Sequence, residues 1–422
     1  MTHDATPPPR SLAYALLAAA RIDAAVLAGQ SLADGMIGRV DPVARPAVQD
    51  LVYGSLRRFG SSDFLLASLL SRPLAVPEIH ALLLVALYRL DTRPDSVHTV
   101  VDQAVVAAGA LAGGKFRGLV NGVLRNFLRR RDTLLAELAE DGLATSQHPY
   151  WWLKRLQAAY PEDWPAIVAA GNSPPPMALR VNRRRCSRDD YLARLSASGL
   201  VGTPVGEVGI VLAEPVGVDA LPGFEEGWVS VQDPGAQRAA ALLDPVPGSR
   251  VLDACAAPGG KTAHLLELAD LDLLALDLKP ARCRRVEENL SRLGLSAQVT
   301  AADCSRLETW WDGQPFDAVL ADVPCSASGV VRRNPDAKWL RREEDIARFA
   351  KAQATILSAL WQVVRPGGKL LYATCSVFPD ENGMQISRFL ATRPDARRDY
   401  EEQILPNADH DGFYYCRLEK AA

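Results

Sequence analysis

Two apolar strands run into cysteines, Pro324-Cys325-Ser326 and Thr374-Cys375-Ser376. Each follows an apolar stretch, 316–321 in the first case and 369–373 in the second, so each thiol stands just past the end of a buried strand. A thiol in such a place can act as a nucleophile, and covalent attack splits one hard substitution into easier steps. A third run, Asp253-Ala254-Cys255-Ala256-Ala257-Pro258-Gly259-Gly260-Lys261, ends a strand, turns tightly and opens a helix. A loop of that kind lets a ligand approach the backbone at the carboxyl end of the sheet. Asp277 ends the next strand, about 20 residues on, where a ribose-binding acid sits in such folds. Asp303 follows a third strand, and Asp322 precedes the first thiol.

The loop is neither Gly-x-Gly-x-x-Gly nor a Walker motif, which argues against a dinucleotide and against ATP. A small adenosine-containing ligand without phosphates fits better. Asp277 would accept from ribose hydroxyls and Lys261 would meet a carboxylate, which is S-adenosylmethionine in outline. The plainer alternative makes Pro258-Gly259-Gly260 a tight strand–helix turn and Asp277 a helix cap. Methyl transfer explains the thiols. Carbon 5 of a pyrimidine has no lone pair, but thiolate attack at carbon 6 makes it nucleophilic. Asp322 could hydrogen-bond the ring as charge builds there. If the two strands are adjacent, their ends lie about 5 Å apart and both thiols face one pocket. The residues alone do not say which thiol attacks. Cys186, Cys255, Cys283, Cys304 and Cys416 are expected as small core residues.

The elements that must position these groups follow from periodicity. From 232 onward strands (250–254, 271–277, 297–301, 316–321, 369–373) alternate with helices (261–268, 279–293, 343–364), which predicts a parallel sheet covered on both faces. Gly294 stops one helix and Pro366-Gly367-Gly368 another. The last strand, 413–418, is expected to close the sheet edge as part of a hairpin. Segments 11–28, 43–56, 62–70, 77–90, 97–111 and 117–138 carry apolar residues at helical spacing, which predicts an all-α bundle. Between them, 148–152 breaks the pattern, 172–176 is a stiff Pro-rich linker, and 177–231 reads as short strands around one helix at 189–198. The expected division is 1–140, 141–231 and 232–422: a bundle, a linker with a small α+β subdomain, and an α/β Rossmann-like catalytic domain.

Composition sets the limits. The 422 residues are 48% hydrophobic with a formal net charge of −3, so nucleic-acid binding must come from local basic patches. Seven cysteines without a Cys-x-x-Cys pair offer neither a disulfide framework nor a zinc site, and a reducing cytoplasm is expected. The apolar run 11–20 is interrupted by Arg21 and Asp23, against a signal peptide. No apolar run approaches the roughly 18 residues of a membrane helix. No metal, no membrane and a monomer are expected.

The motifs carry a resemblance. Gln232-Asp233-Pro234-Gly235-Ala236-Gln237, Asp253–Lys261, Asp277, Asp303, 322–326, 332–339, 373–376 and Asp411-Gly412-Phe413-Tyr414 closely resemble the bacterial ribosomal RNA cytosine-5 methyltransferases of the NOL1/NOP2/Sun family. The first third is similar to the NusB fold. The resemblance implies that Cys375 attacks carbon 6, that Cys325 helps release the product, and that Asp322 holds the base edge. It implies that Ala257, Pro258, Gly259, Gly260, Lys261 and Asp322 contact S-adenosylmethionine, with Asp277 on the ribose and Asp303 near the adenine. Small-subunit ribosomal RNA is the implied partner. One departure is visible: the family often has glycine where this chain has Ala327, and alanine takes positive φ less easily.

Arg332, Arg333 and Lys338, after the first thiol, and Arg125 and Arg129, on one helix of the bundle, are the expected RNA contacts. The target base must be unstacked to reach the thiols. Other readings are the same chemistry on transfer RNA, a silent RNA-binding assembly factor, or an amino-group methyltransferase. The second would have lost a thiol or Asp322, and the third would not need Cys375.

Overall fold

A computed structural model describes residues 6–422. The chain forms two compact units, Met1–Ser173 with Val331–Arg342, and Pro174–Val330 with Glu343–Ala422. The fold class is the expected one, and the differences lie in the boundaries and edges.

The first unit is helical: α1 (Leu12–Leu27), α2 (Arg45–Arg57), α3 (Phe59–Leu69), α4 (Pro77–Thr92), α5 (Val97–Gly109) and α6 (Arg117–Glu140). Ser11 caps α1 by accepting from the Tyr14 N–H. Proline opens α4, where its missing N–H would be unbonded anyway. From Ala81 to Leu87 every residue of α4 is buried, so this helix is the centre of the bundle rather than an amphipathic flank. Three further helices follow, α7 (Gly142–Ser146), α8 (Tyr150–Ala159) and α9 (Trp164–Asn172). The sequence reading took 148–152 as a break, but Pro149 stands at the N-cap of α8. Helices of ten and nine residues are too short to declare themselves by periodicity.

The inserted segment Val331–Arg342 carries α14 (Asp336–Leu340) and is sewn into the bundle. The Trp339 indole donates to the Leu56 carbonyl at 2.7 Å, and the Asp336 carboxylate accepts from the Ser31 hydroxyl and the Leu32 N–H, each at 3.0 Å.

The second unit holds two sheets. The small one comprises β1 (Ala178–Val181), β2 (Gly202–Val205), β3 (Gly209–Leu212) and β4 (Val229–Val231), in the order β2-β3-β1-β4, antiparallel throughout. Helix α10 (Arg188–Ala197) covers it through Tyr191 and Leu195, which join Leu179, Val181 and Ile210 in one core.

The large sheet comprises β5 (Arg250–Ala254), β6 (Asp272–Asp277), β7 (Gln298–Ala301), β8 (Phe316–Asp322), β9 (Val364–Thr374), β10 (Ala396–Ile404) and β11 (Phe413–Lys420). Its order is β10-β11-β9-β8-β5-β6-β7. Strands β5 to β9 pair in parallel, and β11 lies antiparallel between β9 and β10. Helices α11 (Pro234–Leu243), α12 (Gly260–Leu268), α13 (Pro280–Leu293), α15 (Glu343–Val363) and α16 (Gly383–Leu390) accompany this sheet. Gly294, at φ +69°, ends α13 as expected.

Two edges differ from the sequence reading. Strand β11 does not close the sheet; it is internal, and β10 is the edge. The residues explain why: Phe413, Tyr414, Tyr415 and Cys416 are all buried, while β10 is rich in Arg and Glu, which suit an unpaired edge. Strand β9 also begins earlier than 369. Val364 pairs with Phe316 and the ladder resumes at Lys369 opposite Ala318, so Arg365–Gly368 bulges out, with Gly367 at φ +70°.

Candidate active site

The chain fills the large sheet from β5 outward to β7, then crosses to β8 on the other side of β5. Ligands bind at such a switch point, outside the carboxyl ends of the strands. The loop after β5 lies there. Cys255 is at φ +65° and Gly259 at φ +97°. A Cβ at Gly259 would stand 3.1 Å from the Val286 Cα on α13, so only glycine permits this close approach. Beneath the loop, the Thr262 hydroxyl donates to Asp253 Oδ2 at 2.6 Å. Asp253 Oδ1 is buried and has no hydrogen-bond partner among the described residues. Burial pushes the Asp253 pKa up to about 7, against the hydrogen bond from Thr262.

The acids stand where the sequence placed them. Asp277 ends β6, buried, with Oδ2 accepting from the Ala257 N–H at 3.2 Å and 3.4 Å from the Arg282 guanidinium. Asp303 follows β7, its Oδ1 accepting from the Ser305 N–H and hydroxyl at 2.9 and 2.7 Å. Asp322 ends β8 and accepts from the Lys261 ammonium at 2.5 Å. Burial works against the charge on Lys261, but Asp322 outweighs it and holds the lysine above its ordinary pKa. Lys261 is therefore already paired rather than waiting for a carboxylate.

This donor set suits an adenosyl sulfonium. Carboxylates end three successive strands, Ala257 and Gly260 are partly accessible, and a buried carboxylate oxygen at Asp253 lacks a donor.

Strands β8 and β9 are adjacent, with Asp322 opposite Ala373. The register carries both thiols to the same end, and the Cys325 and Cys375 sulfurs lie 3.3 Å apart, each half-buried. The hydrogen bond with Cys375, then burial, drives the Cys325 pKa well above the ordinary thiol range. Cys325 thus keeps its proton. Of the remaining cysteines, Cys283, Cys304 and Cys416 are buried, while Cys186 and Cys255 are half-buried. The Cys255 sulfur is 3.8 Å from that of Cys304. Ala327 adopts φ +62°, so the loop after Cys325 keeps the left-handed turn despite having alanine there.

The basic residues divide. Arg125 and Arg129 are exposed on α6, beside a groove that also involves His98 and Asn121. Arg333 is half-buried. Lys338 and Arg332 are not surface groups at all, contrary to expectation. The Lys338 ammonium donates to the Arg57 carbonyl at 3.2 Å and to Asn172 Oδ1 at 3.0 Å. Burial, then the Arg57 charge, pushes its pKa well below the usual lysine value.

Two buried charged residues that brace the site's loops escaped the sequence reading. Arg180 is fully buried. It grips both Glu267 oxygens at 2.9 and 2.7 Å and donates to the Gly260 carbonyl at 2.6 Å, so β1 anchors the first residue of α12. The second is Glu381, which bonds the serine after each thiol.

A parallel sheet of this order, with a glycine loop after β5 and an antiparallel strand inserted beside its neighbour, defines a Rossmann-like methyltransferase domain. Comparison with known proteins narrows the class. The family model for 16S rRNA methyltransferase RsmB/F matches residues 240–419. The ferredoxin-like domain model of RsmF/B-like methyltransferases matches 148–219, and the NusB family model matches 8–129. Ribosomal RNA small subunit methyltransferase B of Klebsiella pneumoniae subsp. pneumoniae is 44% identical over 420 residues, 96% of this chain and 97% of its own. The protein of the same name from Pseudomonas syringae pv. tomato is 46% identical over 433 residues, again 96% and 97%. Among solved structures, PH0851 aligns over 98% of this chain and 99% of its own, with a TM-score of 0.79 at 23% identity. NSun6 from Pyrococcus horikoshii, solved with SFG, aligns over 65% of this chain and 98% of its own, with a TM-score of 0.57 at 19% identity. These two likenesses speak to the fold alone. The chain belongs to the ribosomal RNA small subunit methyltransferase B family.

Proposed function

We propose that this protein methylates carbon 5 of a cytosine in small-subunit ribosomal RNA, with S-adenosylmethionine as methyl donor and a cysteine adduct as intermediate. The observation that carries the reading is the pair of sulfurs 3.3 Å apart at the ends of adjacent strands, beside the Lys261–Asp322 ion pair. Methylating an atom that already has a lone pair does not call for two thiols in contact.

Residues 257–261, Asp277, Asp303 and Asp322 would hold the donor, which when bound supplies a methyl group activated by a sulfonium. The rest is done by the chain. The Cys375 thiol gives up its proton to solvent, its sulfur forms a bond to carbon 6 of the cytosine, and the ring electrons shift onto carbon 5, now nucleophilic. Asp322, held by Lys261, accepts from the cytosine amino group and so fixes the pyrimidine edge. Once carbon 5 is methylated, its proton must pass to a base, here Cys325 after it has released its own proton to solvent, and the carbon 6–sulfur bond breaks with its electron pair returning to the Cys375 sulfur. Cys325, in contact with Cys375, is the group assigned to that release. The high pKa of Cys325 supports this order, because a sulfur that keeps its proton is the poorer nucleophile.

In this reading residues 1–140 and 141–231 present the RNA, and 232–422 carry the chemistry. Exposed Arg125 and Arg129 contact phosphates, which position the RNA without reading its sequence.

The test is a denaturing gel of wild type, Cys325→Ala and Cys375→Ala after incubation with small-subunit ribosomal RNA and S-adenosylmethionine. A slow-migrating RNA adduct is expected in Cys325→Ala alone. An adduct in Cys375→Ala instead would exchange the two roles. No adduct in any lane, with no 5-methylcytosine formed by wild type, would sink the reading.

A further inference from the structure

Glu381 lies in a one-turn 3₁₀ segment, Pro379–Glu381, between β9 and α16. The composition of Pro379-Asp380-Glu381-Asn382 suits an exposed loop, but Glu381 is 0% exposed. Its Oε1 accepts from the Ser326 backbone N–H at 2.9 Å and from the Gln353 amide at 3.0 Å. Its Oε2 accepts from the Ser326 hydroxyl at 2.6 Å and the Ser376 hydroxyl at 2.5 Å. Ser326 directly follows Cys325 and Ser376 directly follows Cys375, so one carboxylate bridges the turns that carry the two thiols.

The residues around it complete the clamp. The Gln353 amide also donates to the Pro324 carbonyl at 3.0 Å, just before Cys325. Asn382 accepts from the Thr374 hydroxyl at 2.6 Å and donates to the Ser376 carbonyl at 2.8 Å, on either side of Cys375. Each thiol is thereby bracketed by groups anchored to Glu381 or Asn382. Burying a carboxylate is costly, and apolar packing usually stabilises a fold as well or better. What a carboxylate with four donors provides instead is geometry.

We propose that Glu381 is a positioning residue for the thiol pair: its carboxylate sets the separation of the Cys325 and Cys375 sulfurs by holding the serine that follows each. The inference rests on reading these thiols as nucleophile and release group. Removing the carboxylate frees both turns at once, and a displacement of about 1 Å can cost roughly a hundredfold in rate. Glutamine keeps the shape, and the serine hydroxyls can turn to accept from its amide.

The experiment uses the full chain as wild type, Glu381→Ala, Glu381→Gln and Ser376→Ala, with two readouts. One is methyl transfer to small-subunit ribosomal RNA, with kcat separated from the KM for S-adenosylmethionine. The other is the rate at which diamide joins Cys325 to Cys375, each thiol losing one hydrogen while diamide is reduced to the hydrazine, read by peptide mass. Glu381→Ala is expected to slow both disulfide closure and kcat by roughly tenfold to a hundredfold, with KM within about twofold of wild type. Glu381→Gln should recover most of both rates. Disulfide closure at the wild-type rate in Glu381→Ala overturns the proposal. Should that variant fail to fold, Ser376→Ala carries the same expectation, and unchanged closure there overturns it equally. If wild type places no methyl on cytosine, the functional reading fails, while the diamide rates still decide whether Glu381 positions the thiols.

Discussion

The Cys325 sulfur lies 3.3 Å from that of Cys375, although 50 positions of chain separate them. The contact is asymmetric. The hydrogen bond between the two sulfurs, then burial, raises the Cys325 pKa well above the ordinary thiol range.

Alkylation should report that asymmetry. With iodoacetamide at pH 8, peptide mapping over time is expected to find Cys375 modified before Cys325. In Cys375→Ala the main cause of the raised Cys325 pKa is gone, so Cys325 should label faster than in wild type. Equal labelling of the two in wild type would contradict the asymmetry.

Asp253 should make stability depend on pH. Its folded pKa of about 7 is above the ordinary 3.8, chiefly through burial. The fold therefore holds a proton that the unfolded chain has already released, so stability falls as pH rises from about 4 to about 7 and stays lower above that. The whole difference is on the order of 4 kcal/mol. Asp253→Asn lacks this slope. Urea unfolding at pH 5 and pH 8 should find the variant gaining on wild type at the higher pH, and parallel behaviour would exclude the effect.

The buried pair of Arg180 and Glu267, 0% and 1% exposed, should be intolerant of one-sided change. Glu267→Ala strands the guanidinium and should cost about 3–5 kcal/mol. Replacing both, Arg180→Met with Glu267→Leu, should lie much closer to wild type. Denaturant midpoints of the two variants check this, and equal loss in both would argue against an uncompensated charge.

Ala327 holds a left-handed conformation that costs an alanine about 1–2 kcal/mol, more than the roughly 0.5–1 kcal/mol of chain entropy glycine would lose. Ala327→Gly is therefore expected to stabilise the protein by about 0.5–1 kcal/mol. A lower melting temperature would show that the methyl group is making contacts that matter.

What the sequence by itself determined is local. The glycine loop after β5, the acids at the ends of β6 and β8, the Gly294 stop, and both thiols at strand ends follow from patterns a few residues long. Steric demands at one turn or the period of one strand decide such features. The pairing of β8 with β9, the internal place of β11 and the bond from Lys261 to Asp322 across 61 positions depend on which strands become neighbours, and no short pattern encodes that. Charged residues were hardest to read for the same reason. Lys338, Arg180 and Glu381 have the composition of solvated surface, and only the tertiary structure, by bringing each a buried partner, turned them into internal struts.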